Sequence, residues 1–110
     1  MADNPIIFAL ANPKPEIDPQ VAHAAGVKIM ATGSSQYPNQ VNNILVFPGV
    51  YKGLLATDLN KVDFGLETAI AKGIASLVPE PTAARFVPGV FDEGVVDTVA
   101  QAVKDYAASK

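Results

Sequence analysis

Apolar residues fall along this chain in two rhythms. Pro5-Ile6-Ile7-Phe8-Ala9-Leu10 is a short continuous run bounded by Asn4-Pro5 and Asn12-Pro13. It predicts a strand buried on both faces, the kind found in parallel sheets. Val27 to Thr32 predicts a second strand, ended by Gly33 and two serines. Between them, Asp18 as N-cap and Pro19 at the first helical position predict a short helix of about eight residues. Val21, Ala22 and Ala25 would form its apolar stripe, and Gly26 its stop. Strand, short helix, strand predicts a βαβ unit with parallel strands.

Beyond Gly33 the rhythm turns helical. Pro38-Asn39 opens a predicted helix with Val41, Ile44 and Leu45 on one face. Pro48-Gly49 interrupts it, and a further short helical piece is predicted in Val50 to Ala56. Asp58 or Asn60 is expected to cap a longer helix to about Leu77, with Val62, Leu66, Ile70, Ile74 and Leu77 as a continuous stripe. Pro79-Glu80-Pro81 ends it, and residues 79 to 91 read as loop. Asp92 is expected to cap a final helix with Val95, Val99, Val103 and Tyr106 on one face, and Ser109-Lys110 to fray. The pattern is α/β and helix-rich, with two clear strands and four to five helices. Two strands rarely make a free-standing sheet. The first apolar run also begins almost at residue 1, so a truncated start and a larger parent are expected.

Composition narrows the classes. The chain has 110 residues, enough for one domain with a modest core, and is 49% hydrophobic and 17% charged. A net charge of −3 without a Lys/Arg cluster argues against nucleic acid and anionic membranes as partners. There is no cysteine, which excludes disulfides and thiolate metal sites and fits a cytoplasmic protein. No apolar run approaches the ~20 residues of a membrane-spanning helix, and no basic leader opens the chain.

Against this background, Ala31 to Gly49 stands out. It gathers Gln36, Asn39, Gln40, Asn42 and Asn43 with Ser34 and Ser35. In an open α/β sheet, ligands bind beyond the carboxyl ends of the strands. Asn12 lies just past the first strand and Gly33 to Ser35 just past the second, so adjacent parallel strands would bring them to one rim. On pattern alone the same residues also read as a plain turn and a plain loop. On the predicted helix, Asn43 points nearly opposite the apolar stripe and Asn39 sits one turn earlier. They fit a solvated face, or a carboxamide cluster that donates and accepts hydrogen bonds without charge. The latter suits a hydroxy acid or keto acid, whose carboxylate Asp or Glu would repel. His23 reads as a surface residue. There is no GxGxxG, P-loop or metal-site spacing, and Ser34 and Ser35 lack a nearby base.

Four motifs together are more specific. Phe8-Ala9-Leu10-Ala11-Asn12-Pro13 with Pro15-Glu16-Ile17, then Ala31-Thr32-Gly33, then Tyr37-Pro38-Asn39-Gln40-Val41-Asn42-Asn43, then Phe47-Pro48-Gly49 resemble malic enzyme in its smaller prokaryotic form. The resemblance weakens after Pro81 and covers only the C-terminal part of that family's polypeptide. It implies that residues 1–110 are the C-terminal portion of a Rossmann-like parallel-sheet NAD(P)-binding domain. It implies oxidative decarboxylation of L-malate to pyruvate and CO2, with NAD or NADP and a Mg2+ or Mn2+ ion. It also implies a homodimer and, as partner, the remainder of the malic enzyme chain. By the same resemblance, Asn12, Asn42 and Asn43 bind substrate. Thr32 and Gly33 lie beside the cofactor, with Asn12 and Asn42 also contacting it. The family's acid–base pair, metal ligands and glycine-rich loop lie N-terminal to this stretch, so no catalytic or metal residue is assigned here, and the chain alone is expected to be inactive. Ser34 and Gln36 stand where many members carry Arg and Asp, and Lys14 where a small or β-branched residue is common. These departures change local charge. Two other readings stay open: a malolactic-type enzyme fragment, and a non-catalytic module that binds a small acid or a partner.

Overall fold

The computed structural model describes residues 2–110. Its elements are β1 (Ile6–Ala9), α1 (Pro19–Ala24), β2 (Ile29–Thr32), a 3-10 turn (Asn43–Leu45), α2 (Phe47–Leu55), α3 (Phe64–Ser76) and α4 (Val95–Ala108). The chain divides into two compact units. One runs through Asn42 and takes in Glu80–Val87; the other holds Asn43–Pro79 and Pro88–Lys110.

In the first unit β1 and β2 pair in parallel, with Ile6 opposite Ile29 and Ala9 opposite Thr32. The Asp18 side chain accepts the Gln20 amide, Pro19 opens α1, and Gly26 stops it at φ 98°. This matches the expected βαβ order, with a helix of six residues. A small core of Ala9, Ala22, Val27 and Met30 lies beneath, joined by Ile7 and Ile17. The first strand is not buried on both faces: Ile6 and Phe8 are 62% and 50% exposed. Alternation puts Ile7 and Ala9 on the core and turns Ile6 and Phe8 the other way. Phe8 is partly covered by Phe86, whose ring stacks at 6.1 Å. Val21 also faces outward, leaving Ala22 as the buried apolar residue of the α1 stripe.

The second unit is helical. Val50, Leu66, Ile70, Val99 and Val103 form its core. The Val95, Val99, Val103, Tyr106 stripe of α4 packs as its spacing predicts. Helix α3 begins later than expected, because Asp63 and not Asp58 or Asn60 is the cap: its carboxylate accepts the Leu66 amide at 2.9 Å. Val62 therefore lies outside the helix. Gly94, at φ 87°, rather than Asp92, caps α4. The Asp92 carboxylate is engaged by the Gly89 amide at 2.8 Å. Lys110 is not frayed: its ammonium sits 3.6 Å from Asp63 and over the Tyr106 ring.

The largest departure is at Pro38 to Leu45. No helix opens at Pro38-Asn39, because Gln40 pairs in parallel with Thr32 and holds the chain extended. The Phe47-Pro48-Gly49 triplet opens α2 instead of interrupting a helix, since proline suits the first helical turn. Gly49 and Gly53 lie one turn apart on α2 where it meets α4. A Cβ at either position would stand 2.5 Å from the Cβ of Val99 or Val103. These glycines let two backbones approach, a use distinct from breaking a helix.

Candidate functional site

Both strands of the first unit end at one rim, as parallel pairing requires. Past β1, Asn12-Pro13 is a cis peptide. The Glu16 carboxylate accepts the Ala11 amide at 2.9 Å and ties this corner down. That bond, with one to its own amide, holds the Glu16 carboxyl below its ordinary pKa. Past β2 lies Gly33, which is buried. A Cβ there would meet Asn12 Oδ1 at 3.0 Å and the Leu10 carbonyl at 3.3 Å. The Asn12 side chain thus lies directly against Gly33, and any larger residue there would press on it.

The carbonyl of Gly33 accepts two side-chain amides, Gln40 Nε2 at 3.2 Å and Asn42 Nδ2 at 3.3 Å. Thr32 is buried, and its hydroxyl accepts the Ser34 amide at 3.1 Å. Four sequence candidates therefore converge: Asn12, Thr32, Gly33 and Asn42. Asn43 stands exposed at the head of the 3-10 turn, in the second unit. Its expected helix phase does not apply, because residues 39–42 are not helical. Asn39, which by sequence fits either a solvated face or a carboxamide cluster, is 8% exposed and bonded to the 80–87 segment.

Sequence reasoning assigned no role to Gln40 or Glu16, although both lie within the motifs. Their partners, Gly33 and Ala11, are main-chain groups, and no residue pattern announces a main-chain acceptor or donor. His23 is accounted for locally: its Nδ1 lies 2.7 Å from the Val27 carbonyl, so that nitrogen carries the proton. Lys52 pairs with Asp97 at 2.6 Å, far along the chain from the rim residues.

A parallel βαβ unit with a rim of hydrogen-bonding side chains at its carboxyl strand ends has the form of a ligand-binding α/β protein of the nucleotide-binding type. Similarity to known proteins carries this further. The family described as malic enzyme, NAD binding domain, matches residues 1–108, and the chain belongs to that family. It is 47% identical over 109 residues to the NAD-dependent malic enzyme of Geobacillus stearothermophilus, a match covering 97% of this chain and 23% of that one. It is 46% identical over 105 residues to a bifunctional malic/malolactic enzyme of Bacillus subtilis, covering 94% and 26%. The malic enzyme structure from Pyrococcus horikoshii superposes with a TM-score of 0.93 at 42% identity, over 99% of this chain and 25% of that one. The chain thus spans about a quarter of the length of these relatives. Other relatives bear the name NADP-dependent malic enzyme.

Proposed function

We propose that this chain is the C-terminal portion of the NAD(P)-binding domain of a malic enzyme, whose complete polypeptide oxidises and decarboxylates L-malate to pyruvate and CO2. One observation supports this most: the Asn12 side chain, the Gly33 backbone and the Asn42 carboxamide meet at the carboxyl ends of two parallel strands. A carboxamide rim can donate to a carboxylate and accept from a hydroxyl without repelling the anion. In this reading Asn12, Asn42 and Asn43 bind and orient malate. Thr32 and Gly33 flank the cofactor, and Asn12 and Asn42 border both. The missing side chain at position 33 is what seats the Asn12 carboxamide against the end of β2. NAD or NADP, when bound, supplies the hydride acceptor for malate C2.

A divalent cation has no ligand set among these residues. Among the described residues no group of three His, Cys, Asp or Glu could hold one. The Mg2+ or Mn2+ ligands, like the acid–base groups, are proposed to lie in the remainder of the enzyme, which we take to be a cytoplasmic homodimer. The cysteine-free sequence fits that compartment. Among the described residues no helix is long and apolar enough to cross a membrane.

The test is product analysis on the full-length polypeptide with L-malate. Pyruvate formed with stoichiometric NADH or NADPH is the expected result. Lactate without net nicotinamide reduction would favour the malolactic reading, which the name of the Bacillus subtilis relative supports. Malate binding without turnover would leave a small-acid-binding module.

A further inference from the structure

Asn39 has no part in the chemistry proposed so far, yet its side chain meets four backbone groups. Its Nδ2 donates toward the carbonyls of Ala83 at 3.3 Å and Ala84 at 3.4 Å. Its Oδ1 accepts the amides of Phe86 at 2.8 Å and Val87 at 3.3 Å. Its backbone lies in the left-handed region at φ 59°, which asparagine tolerates better than most residues. This conformation sets the direction in which residues 40–42 leave Asn39. The Asn39 carbonyl accepts the Thr32 amide at 3.4 Å, and two residues on, the Val41 amide donates to the Thr32 carbonyl at 2.7 Å. Gln40, between them, is paired beside Thr32. That pairing places the Gln40 and Asn42 amides on the Gly33 carbonyl.

A path of hydrogen bonds and the peptide links between them therefore runs from the 80–87 segment, through Asn39, to the Gly33 peptide. We propose that Asn39 is a positioning residue that latches the 80–87 segment to the end of β2 and so fixes the Gln40 and Asn42 carboxamides for a hydroxy-acid ligand. The kinetic consequence rests on the malate reading; the latch itself does not.

Asn39→Gly keeps the left-handed backbone available and removes the latch. Two readouts on the full-length polypeptide decide the matter. The first is backbone hydrogen exchange. Protection of the Phe86 and Val87 amides should be lost, and protection of Val41 should fall about tenfold, the loss of roughly one hydrogen bond. The second is malate kinetics. KM should rise about tenfold while kcat changes less, because a misplaced carboxamide weakens binding more than chemistry. Unchanged protection at Phe86 and Val87 would overturn the latch. Lost protection there, with Val41 exchange and malate KM both unchanged, would overturn the positioning role. If the wild-type protein does not turn over malate, Val41 exchange alone decides, so failure of the malate reading stays distinguishable. Should Asn39→Gly not fold, Asn39→Asp, which keeps the acceptor for Phe86 and Val87 and loses the donor to Ala83 and Ala84, is judged by Val41 exchange and malate KM alone: lower Val41 protection with a raised KM is expected, and both unchanged would overturn the positioning role.

Discussion

In the helical unit Leu66, Val99 and Val103 are fully buried, and glycines at 49 and 53 bring α2 against α4. Side chain packs on side chain, and hydrogen bonds serve mainly helices and their ends. In the strand unit, Glu16, Thr32, Asn39, Gln40 and Asn42 each bond main-chain groups, and the apolar core is four small or medium residues. Here side chain holds backbone. The contrast suits the two tasks. Packing is close and cooperative but not directional, whereas a binding rim needs individual peptide groups held in place by directional bonds.

The contrast can be strained at several points. The largest effect is expected from Leu66→Ala in the helical core, which should cost about 2–5 kcal/mol through lost burial and a cavity. Denaturant unfolding measures it, and a loss under about 1 kcal/mol would contradict the packing account. Gly53→Ala is a sharper case. Helix propensity alone favours alanine by about 1 kcal/mol. The new Cβ would stand 2.5 Å from Val103 Cβ and 3.0 Å from the Ala100 carbonyl. Overpacking costs about 1–3 kcal/mol, so the variant should melt lower; a higher melting temperature would show that α2 and α4 can part freely.

The smallest effect is expected at the corner past β1. The Ala11 amide holds the Glu16 carboxyl below its ordinary pKa. The bond should therefore contribute fully above the unfolded-state pKa near 4.5 and fade as pH falls through the lower folded value. Exchange of the Ala11 amide should quicken, relative to its intrinsic rate, on acidification through that window. Glu16→Gln should abolish the pH step, and its persistence would place the titration elsewhere.

The same contrast explains how much is legible in the sequence. The α3 and α4 stripes, both strands and the Asp18-Pro19 start follow from local periodicity and caps, and each lies where its pattern puts it, within a few residues. Residues 38–46 depart from their local pattern because their conformation is decided elsewhere: Asn39 is held by groups 44–48 residues away, and Gln40 by β2. Gly49 reads as a breaker along the chain, where its neighbour in space is invisible. The motifs do locate the rim. Within it, Asn12, Thr32, Gly33 and Asn42 come together, but the hydrogen bonds that tie Gly33 down are made to its carbonyl, which every residue type possesses.

Asn43, the exposed carboxamide next in sequence to the rim, is proposed to bind malate and not to hold the fold. Asn43→Ala in the full-length polypeptide tests it most directly, by malate kinetics alongside thermal unfolding. Asn43 is exposed, so the melting temperature should barely move, while malate KM rises or kcat falls by about tenfold or more. Unchanged malate kinetics would contradict the assignment.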